Sequence, residues 1–131
     1  MHHVLPFVSY CLLTYKNTKF APNTSFVTGL PLRKEIIHPP KTLSFSIPPH
    51  LPIIYVTGGS TGAVSMNELL FPIISQLIQK NVVIHQTGVH SIEKAKKLKE
   101  ALPEKIQSRY IPFSYISGTD IGWIMHHMSL I

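Results

Sequence analysis

A short β-prone run that leads into a glycine-rich loop and then into a helical pattern most constrains the fold of this 131-residue chain. The run is Ile53–Thr57, the loop is Gly58-Gly59-Ser60-Thr61-Gly62-Ala63, and the helical pattern covers residues 63–80. Glycines allow a sharp turn and a close approach of the backbone to a ligand, and the first N–H groups of a helix lack partners within the helix. The unit is therefore typical of a loop that binds a phosphate group.

The helical pattern over residues 63–80 has one continuous apolar face and one interruption. Apolar side chains recur at spacings of three and four residues, which predicts an amphipathic helix. Pro72 lies within the pattern and predicts a kink, and Asn81 suits the end of the helix. The predicted apolar face consists of Met66, Leu69, Leu70, Ile73, Ile74, Leu77 and Ile78.

Strand and helix patterns alternate through the rest of the chain. The predicted elements are a strand at residues 82–87, a helix at 92–102, a strand at 109–116 and a helix at 121–128. We expect Thr119 or Asp120 to cap the last helix. This alternation favours an α/β fold with a Rossmann-like parallel sheet and right-handed crossovers. Ligands of such sheets bind beyond the carboxyl ends of the strands, where Gly58, Gly88 and Gly118 are expected.

The first fifty residues carry shorter patterns. They predict a strand at residues 4–13 and a short strand at residues 25–28, followed by a turn at residues 29–33. Five of the eleven prolines fall in residues 38–52, which predicts a stiff, extended linker. Apolar and polar residues alternate over residues 42–47, which suits a short edge strand within that linker.

Charge and cysteine content limit the class of protein. Twelve Lys and Arg against six Asp and Glu give a net charge of +6, which favours an anionic partner such as a nucleotide, a nucleic acid or an acidic membrane surface. The lysines between residues 94 and 99 have no aromatic residues among them, so they indicate a solvated helix face and no nucleic-acid site. The longest apolar run, residues 4–13, is too short to span a membrane, and the single Cys11 excludes a disulfide within one chain.

Three chemistries could use the glycine loop. Gly58-x-Ser60-x-Gly62 matches the G-x-S-x-G turn of serine hydrolases, and Asp120 and His126 or His127 follow in the required order. A nicotinamide-binding loop of the short-chain dehydrogenase type is a second alternative, although its last glycine would fall at Val64. The third is a cradle for the diphosphate of a sugar nucleotide. We expect no bound metal, because the two residues of an adjacent histidine pair do not face the same way on a helix.

Four segments, in order, resemble the MurG family of N-acetylglucosaminyltransferases, which belongs to glycosyltransferase family 28. Residues 28–36 resemble the family's T-G-N-P-x-R-x-E-[IV] segment, and residues 58–63 with Asn67-Glu68 resemble its G-G-S-x-G-A…L-N-E loop and helix. Residues 85–88 are similar to its H-Q-T-G, and residues 110–116 to its V-x-P-F-I strand.

This resemblance implies a place for the chain within a larger enzyme. It implies the first half of the C-terminal, donor-binding domain of a GT-B fold. Residues 1–37 would end the N-terminal domain and connect the two domains, residues 38–52 would be the linker, and residues 53–131 would bind the donor nucleotide.

The resemblance also implies a reaction and its partners. The donor would be UDP-N-acetylglucosamine, and the acceptor would be undecaprenyl-diphosphate-muramyl-pentapeptide, the lipid-linked precursor of peptidoglycan. The transfer would invert the anomeric centre without a tightly held metal or other cofactor. The family acts in cell wall biogenesis and cell division, as a peripheral enzyme at the cytoplasmic face of the plasma membrane.

Site residues follow from the resemblance position by position. Arg33 is expected at the diphosphate or the uracil edge, Ser60 at the donor phosphate and Ile116 against the uracil, while His85 is expected to be structural. No residue of the chain is identified as catalytic. The expected donor-binding residues are Arg33, Gly58, Gly59, Ser60, Thr61, Gly62, Ala63 and Ile116, and the expected supporting residues are Asn67, Gln86 and Thr87.

The chain also departs from the family's pattern. The acceptor domain of the family, and its segment with a ribose-binding glutamate and a sugar-reading glutamine, have no counterpart in these 131 residues. We therefore expect a fragment of such an enzyme with little or no transferase activity of its own. The alternative is a non-catalytic half-domain or interaction module that keeps the fold without binding a donor.

Overall fold

A computed structural model describes residues 7–19, 21–58 and 64–129, and its contacts divide the chain into two compact units between Arg33 and Lys34. The first unit contains β1 (Cys11–Leu13) and β2 (Ser25–Val27), which pair in parallel. Both strands are shorter than predicted, and residues 4–6 of the first predicted strand lie outside the described residues. Gly29 follows β2 with a φ of 77°, so the predicted turn begins in the left-handed region that glycine adopts without strain.

The second unit is built on a three-stranded parallel sheet. Its strands are β3 (Ile53–Thr57), β4 (Val82–Gln86) and β5 (Tyr110–Phe113), in the order β3-β4-β5. In the register, Ile53 lies opposite Val82, and Val83 lies opposite Tyr110. The predicted α/β fold with a parallel, Rossmann-like sheet is confirmed.

Six helices accompany the strands in the described residues. They are α1 (Lys34–Ile37), α2 (Val64–Leu70), α3 (Ile74–Leu77), α4 (Ile92–Glu100), α5 (Glu104–Gln107) and α6 (Gly118–His127). A 3-10 turn at Phe71–Ile73 separates α2 from α3, which confirms the interruption predicted from Pro72. The side chain of Asn81 donates to the carbonyl of Leu77, the last residue of α3, so the helical path stops there.

Alternating side chains of the sheet belong to two separate apolar clusters, one on each face, as expected for a sheet that is covered on both faces. Ile54, Val83 and Tyr110 pack on one face with buried side chains of the 3-10 turn, α3 and α4, namely Phe71, Ile74 and Ala95. On the other face, Tyr55 and Ile84 pack with side chains of α6 and of residues 43–51. The sheet is therefore a buried central layer.

The predicted apolar face of residues 63–80 is only partly correct. Among the described residues of this helical segment, those that are buried are Asn67, Phe71, Ile74 and Ile78. Leu69 is 78% exposed and Ile73 is 42% exposed. Both border an open groove of about 330 Å³ with Ile54 and Val56 of β3. Periodicity shows which residues share a face, but the helices cover only the part of that face that lies over the sheet.

Two further predictions are wrong. Residues 42–47 form no strand, because the N–H of Ser44 donates to the carboxylate of Asp120 and not to a neighbouring strand. Helix α6 begins at Gly118, three residues earlier than predicted, because Ser117 and not Thr119 or Asp120 is its N-cap. The Ser117 hydroxyl accepts the N–H of Asp120, which satisfies one of the free donors of the first turn.

Candidate functional site

The carboxyl ends of the three parallel strands lie at one edge of the sheet, here called the carboxyl edge. β3 ends at Thr57 and is followed by Gly58, and β4 ends at Gln86 and is followed by Thr87. The N–H of Thr87 donates to the carbonyl of Phe113, the last residue of β5, over 2.8 Å. Three of the sequence-predicted site residues, Gly58, Gln86 and Thr87, therefore lie at the same edge.

Most of the predicted glycine loop falls outside the described residues. Gly58 is half-buried at the end of β3, and α2 begins at Val64. Gly59, Ser60, Thr61, Gly62 and Ala63 lie outside the described part of the chain, so their contacts with a ligand stay a prediction.

Asn67 joins the helix that follows the loop to the neighbouring strand. Its side chain is fully buried, and its Nδ2 donates to the carbonyl of Thr87 over 2.7 Å. The Thr87 hydroxyl in turn lies 3.1 Å from the carbonyl of Phe113. Two predicted supporting residues are thus in direct contact, and they connect α2 with the ends of β4 and β5.

His85 occupies the centre of this connection, although its sequence position indicated no more than a structural role. Its Nε2 lies 2.9 Å from Oδ1 of Asn67, and its Nδ1 lies 3.0 Å from the hydroxyl of Tyr110. Burial lowers the pKa of His85 to about 4 and raises the pKa of Tyr110 above its ordinary value. The imidazole is therefore neutral at pH 7. Tyr110 was missed because it lies on a different strand, 25 residues away.

Gln86 organises the other face of the carboxyl edge. Its Oε1 accepts the backbone N–H of Ile116 over 3.2 Å and lies 3.5 Å from the hydroxyl of Tyr55. Burial is the main reason that the pKa of Tyr55 is raised. The side chain of Ile116 is 2% exposed and belongs to the core. In this conformation Ile116 itself presents almost no surface to a ligand.

Arg33 is the last residue of the first unit. Its side chain is exposed, directly before α1. Its predicted place beside the diphosphate stays a prediction.

A second polar cluster, which was not predicted, surrounds Asp120. Its carboxylate accepts the N–H of Ser44 over 2.9 Å and the hydroxyls of Ser44 and Ser117 over 2.8 Å each. Burial would raise the pKa of Asp120, but these hydrogen bonds outweigh burial and lower it. A cavity of about 490 Å³ adjoins the cluster, and its lining residues are Pro40, Thr42, Leu43, Ser44, Ser117, Thr119 and Asp120. Asp120 thus ties residues 42–47 to the start of α6.

Helix α6 also holds the segment that follows Arg33. Gly122 faces the backbone of α1 so closely that an added Cβ would lie 2.2 Å from the carbonyl oxygen of Glu35. His126 donates from Nε2 to the carbonyl of Ile36 over 2.8 Å. The close approach of α1 to α6 explains why a glycine occupies position 122.

The hydrolase alternative is not supported by these contacts. Asp120 binds Ser44 and Ser117, His126 binds the carbonyl of Ile36, and Nδ1 of His127 lies 2.8 Å from the carbonyl of Trp123. The acid and the candidate bases are thus engaged elsewhere.

In the described ranges, no three His, Cys, Asp or Glu side chains come together as a candidate metal site. None of the helices described here has the length and apolar character needed to cross a bilayer.

Comparison with known proteins gives one family. The profile of the glycosyltransferase family 28 C-terminal domain matches residues 53–131, which is more than half of the chain. This range includes the whole sheet β3-β4-β5 and the carboxyl edge. No solved structure shows a significant match to the chain.

Several curated proteins are similar to most of the chain. A protein of Treponema denticola is 36% identical over 96 residues, which cover 68% of this chain and 24% of the relative. A protein of Roseiflexus sp. strain RS-1 is 35% identical over 103 residues, which cover 73% of this chain and 23% of the relative. A protein of Streptomyces coelicolor is 29% identical over 109 residues, which cover 78% and 29% respectively.

All three relatives bear the same name, UDP-N-acetylglucosamine–N-acetylmuramyl-(pentapeptide) pyrophosphoryl-undecaprenol N-acetylglucosamine transferase. The chain spans about a quarter of the length of these curated relatives.

Proposed function

Because the chain belongs to glycosyltransferase family 28, we propose that it forms part of the donor-binding domain of an N-acetylglucosaminyltransferase. The enzyme would move N-acetylglucosamine from UDP-N-acetylglucosamine to a lipid-linked muramyl-pentapeptide, as the names of the relatives indicate for those proteins. The chain corresponds to about a quarter of such a protein. Its own share of the reaction is to bind the donor nucleotide.

The observation that carries this proposal is the hydrogen bond from Asn67 to the carbonyl of Thr87. It holds α2, the helix that follows the glycine loop, against the carboxyl end of β4. Ligands of open parallel α/β sheets bind beyond the carboxyl ends of the strands. The loop from Gly58 to Ala63 connects β3 with α2 at this edge, so we place the nucleotide there.

In this proposal the loop cradles the diphosphate of the donor. The backbone N–H groups of residues 59–63 and the hydroxyl of Ser60 would donate to the phosphate oxygens, and glycines allow the close approach. The guanidinium of Arg33 would add two parallel donors, which suit a phosphate group. When the bond between the sugar C1 and the β-phosphate breaks, negative charge develops on the departing UDP, and these donors would stabilise it.

The nucleophile in this proposal is a hydroxyl of the acceptor. Its oxygen forms the new bond to C1 as the bond to the diphosphate breaks, which inverts the anomeric centre, and its proton passes to a base. We assign no base within this chain and expect little or no transfer by the chain alone.

The uracil is placed at Ile116 in this proposal. Because Ile116 is 2% exposed, the contact would come from the main chain around it. Gln86 would fix that main chain through its bond to the Ile116 N–H. In this proposal Gln86 has a supporting role.

We also propose that the enzyme acts as a peripheral protein at the cytoplasmic face of the plasma membrane. The lipid-linked acceptor of the reaction would lie there. The net charge of +6 supports contact with an acidic membrane surface.

Isothermal titration calorimetry of the purified chain with UDP tests the donor site. We expect Ser60→Ala and Arg33→Ala each to weaken UDP binding by about tenfold, because each removes a hydrogen bond to a charged group. Ser65→Ala on the exposed side of α2 and Lys19→Ala in the first unit are the matched controls, and they should leave the affinity unchanged. Wild-type affinity in both Ser60→Ala and Arg33→Ala would refute the donor site.

Two other outcomes identify the alternatives. If UDP produces no heat of binding with the wild-type chain, a non-catalytic half-domain is favoured. If an active-site-directed phosphonate labels Ser60, the serine hydrolase is favoured instead.

A further inference from the structure

The hydrogen bonds that run from Thr87 through Asn67 and His85 to Tyr110 have one arrangement of hydrogens that satisfies every group. The carbonyl of Thr87 can only accept, so the Asn67 amide must present its Nδ2 there and its Oδ1 to His85. Oδ1 can only accept, so Nε2 of His85 must carry the hydrogen. Nδ1 of the neutral ring then accepts from the hydroxyl of Tyr110. The assignment follows from the network.

The network is sealed from solvent. Asn67, His85 and Tyr110 have no exposed surface, and Thr87 is 1% exposed. The ring of Phe71 lies beside the imidazole, with 5.9 Å between the ring centroids. A buried donor or acceptor that loses its partner cannot turn to water, so each bond holds the next in place.

The charged groups near this network lie outside it. Lys94 covers the ring of Phe71 at 5.1 Å and forms an ion pair with Glu68. Both side chains are about half exposed. The polar partners of the imidazole are therefore the amide of Asn67 and the hydroxyl of Tyr110, and both are uncharged.

The network joins three elements and runs from the carboxyl edge at Thr87 to Tyr110, the first residue of β5. Asn67 belongs to α2, His85 to β4 and Tyr110 to β5. A shift or rotation of α2 would break the bond from Asn67 to Thr87, and a turned amide would place two donors or two acceptors face to face. The orientation of one amide thus fixes how the first turn of α2 lies beside Thr87.

We infer that His85 and Tyr110 are positioning residues of the donor site: they hold the Asn67 amide in one orientation and so fix the start of α2 at the carboxyl edge. The inference rests on the proposed function, because the position of α2 matters to a ligand only if the nucleotide binds beside it. Neither residue touches the ligand in this account.

Imidazole ¹⁵N spectra of the labelled chain test the hydrogen assignment. We expect His85 to be in the single neutral tautomer with the hydrogen on Nε2. In Tyr110→Phe the donor to Nδ1 is lost, so the Nδ1 signal should move downfield, toward the position of an unpaired ring nitrogen, while the hydrogen stays on Nε2, where Oδ1 of Asn67 accepts it. Tyr55→Phe removes a buried hydroxyl from the opposite face of the sheet and should leave the His85 signals unchanged. A wild-type ring with its hydrogen on Nδ1, or an unchanged ring in Tyr110→Phe, would overturn the inference.

Amide exchange and UDP affinity test the positioning role. In Tyr110→Phe we expect the amides of residues 66–70 in α2 to exchange about fivefold faster or more, while those of α4 change less. We expect the dissociation constant for UDP to rise by about three- to tenfold, as for the loss of one neutral hydrogen bond. Leu98→Ala on α4 is the control for general loss of stability, and it should leave the UDP affinity unchanged.

The outcomes separate the two proposals. If wild-type chain fails to bind UDP while Tyr110→Phe still shifts the His85 Nδ1 signal and loosens α2, the proposed function is refuted and the positioning of α2 stands. If wild-type chain binds UDP and Tyr110→Phe binds it equally well, with α2 unchanged, the positioning role is refuted and the donor site stands.

Discussion

His85 is a residue whose protonation state is set by the fold. Its ring lies in an apolar core, with both nitrogens in hydrogen bonds. Protonation would place a charge in that core, and burial therefore lowers the pKa of His85 to about 4. The unfolded chain, in which the ring is solvated, has the ordinary value of 6.5. This difference couples stability to pH.

We predict that the free energy of unfolding falls as the pH drops from about 6.5 to about 4. In this range the unfolded chain binds a proton at His85 and the folded chain does not, so protonation favours unfolding. A shift from 6.5 to about 4 corresponds to about 3 kcal/mol at the acid end of the range. Urea unfolding at a series of pH values measures it.

The control for this prediction is a second histidine. His85→Gln should flatten the pH dependence, whereas His38→Gln at an exposed position should keep it. A wild-type stability that does not change over this range would contradict the neutral, buried His85.

Asp120 is a second residue that binds distant parts of the chain, and we predict that Asp120→Asn lowers the free energy of unfolding by about 1–3 kcal/mol. The amide keeps one acceptor but cannot accept all of the bonds from Ser44 and Ser117. Ser44→Ala, which keeps the backbone bond, should cost less. Chemical denaturation of the variants measures these losses, and equal stability of Asp120→Asn and wild type would contradict the role of the carboxylate.

Asp120 also loses its contribution to stability as the pH falls, but for a different reason: hydrogen bonds stabilise its charged form, whereas burial disfavours the charged form of His85. The folded pKa of Asp120 is lowered, so its contribution is present above the ordinary value of 3.8 and is lost as the pH falls through the lower folded value. Acid unfolding below about pH 4 should therefore be less steep in Asp120→Asn.

At the scale of elements, α1 and α6 show how one small residue sets a packing distance. The backbone of Glu35 occupies the space where a side chain at position 122 would begin. His126 completes the contact through the carbonyl of Ile36. Any side chain at position 122 must push α1 away from α6 and weaken this bond.

We predict that Gly122→Ala destabilises the second unit by about 1–3 kcal/mol, although alanine favours helices, because overpacking outweighs propensity. Thermal unfolding measures the effect. Thr119→Ala at an exposed position of the same helix is the control and should change the stability little. A Gly122→Ala chain as stable as wild type would show that α1 does not pack against α6 in solution.

Elements were predictable from the sequence where the local pattern alone determines them. Ile53–Thr57 is a strand with the predicted bounds, because it is a continuous run of β-prone residues. Pro72 interrupts the helix as predicted, because a proline has no N–H to donate within a helix, whatever its tertiary surroundings. Residues 42–47 were mispredicted, because a carboxylate 76 residues from Ser44 takes the N–H that a strand would need.

At the scale of the whole molecule, the sequence predicted the parallel sheet and the edge at which Gly58, Gln86 and Thr87 lie. It could not predict the bonds that organise this edge. The pair His85–Tyr110 joins adjacent strands, and the pair Gln86–Ile116 joins a strand to the loop after the next strand. Such contacts depend on strand register, which local patterns do not contain. The roles of residues 59–63 and of Arg33 stay predictions.

The central claim is that a nucleotide binds at the carboxyl edge of the sheet β3-β4-β5. Amide chemical shifts of the ¹⁵N-labelled chain during titration with UDP test it most directly. We expect shifts at Thr57, in the loop of residues 58–63 and the first turn of α2, at residues 86–88, and at Arg33 and Ile116, with none at the opposite edge around Asn81 and Ser108. Shifts at that opposite edge, or no shifts at saturating UDP, would contradict it.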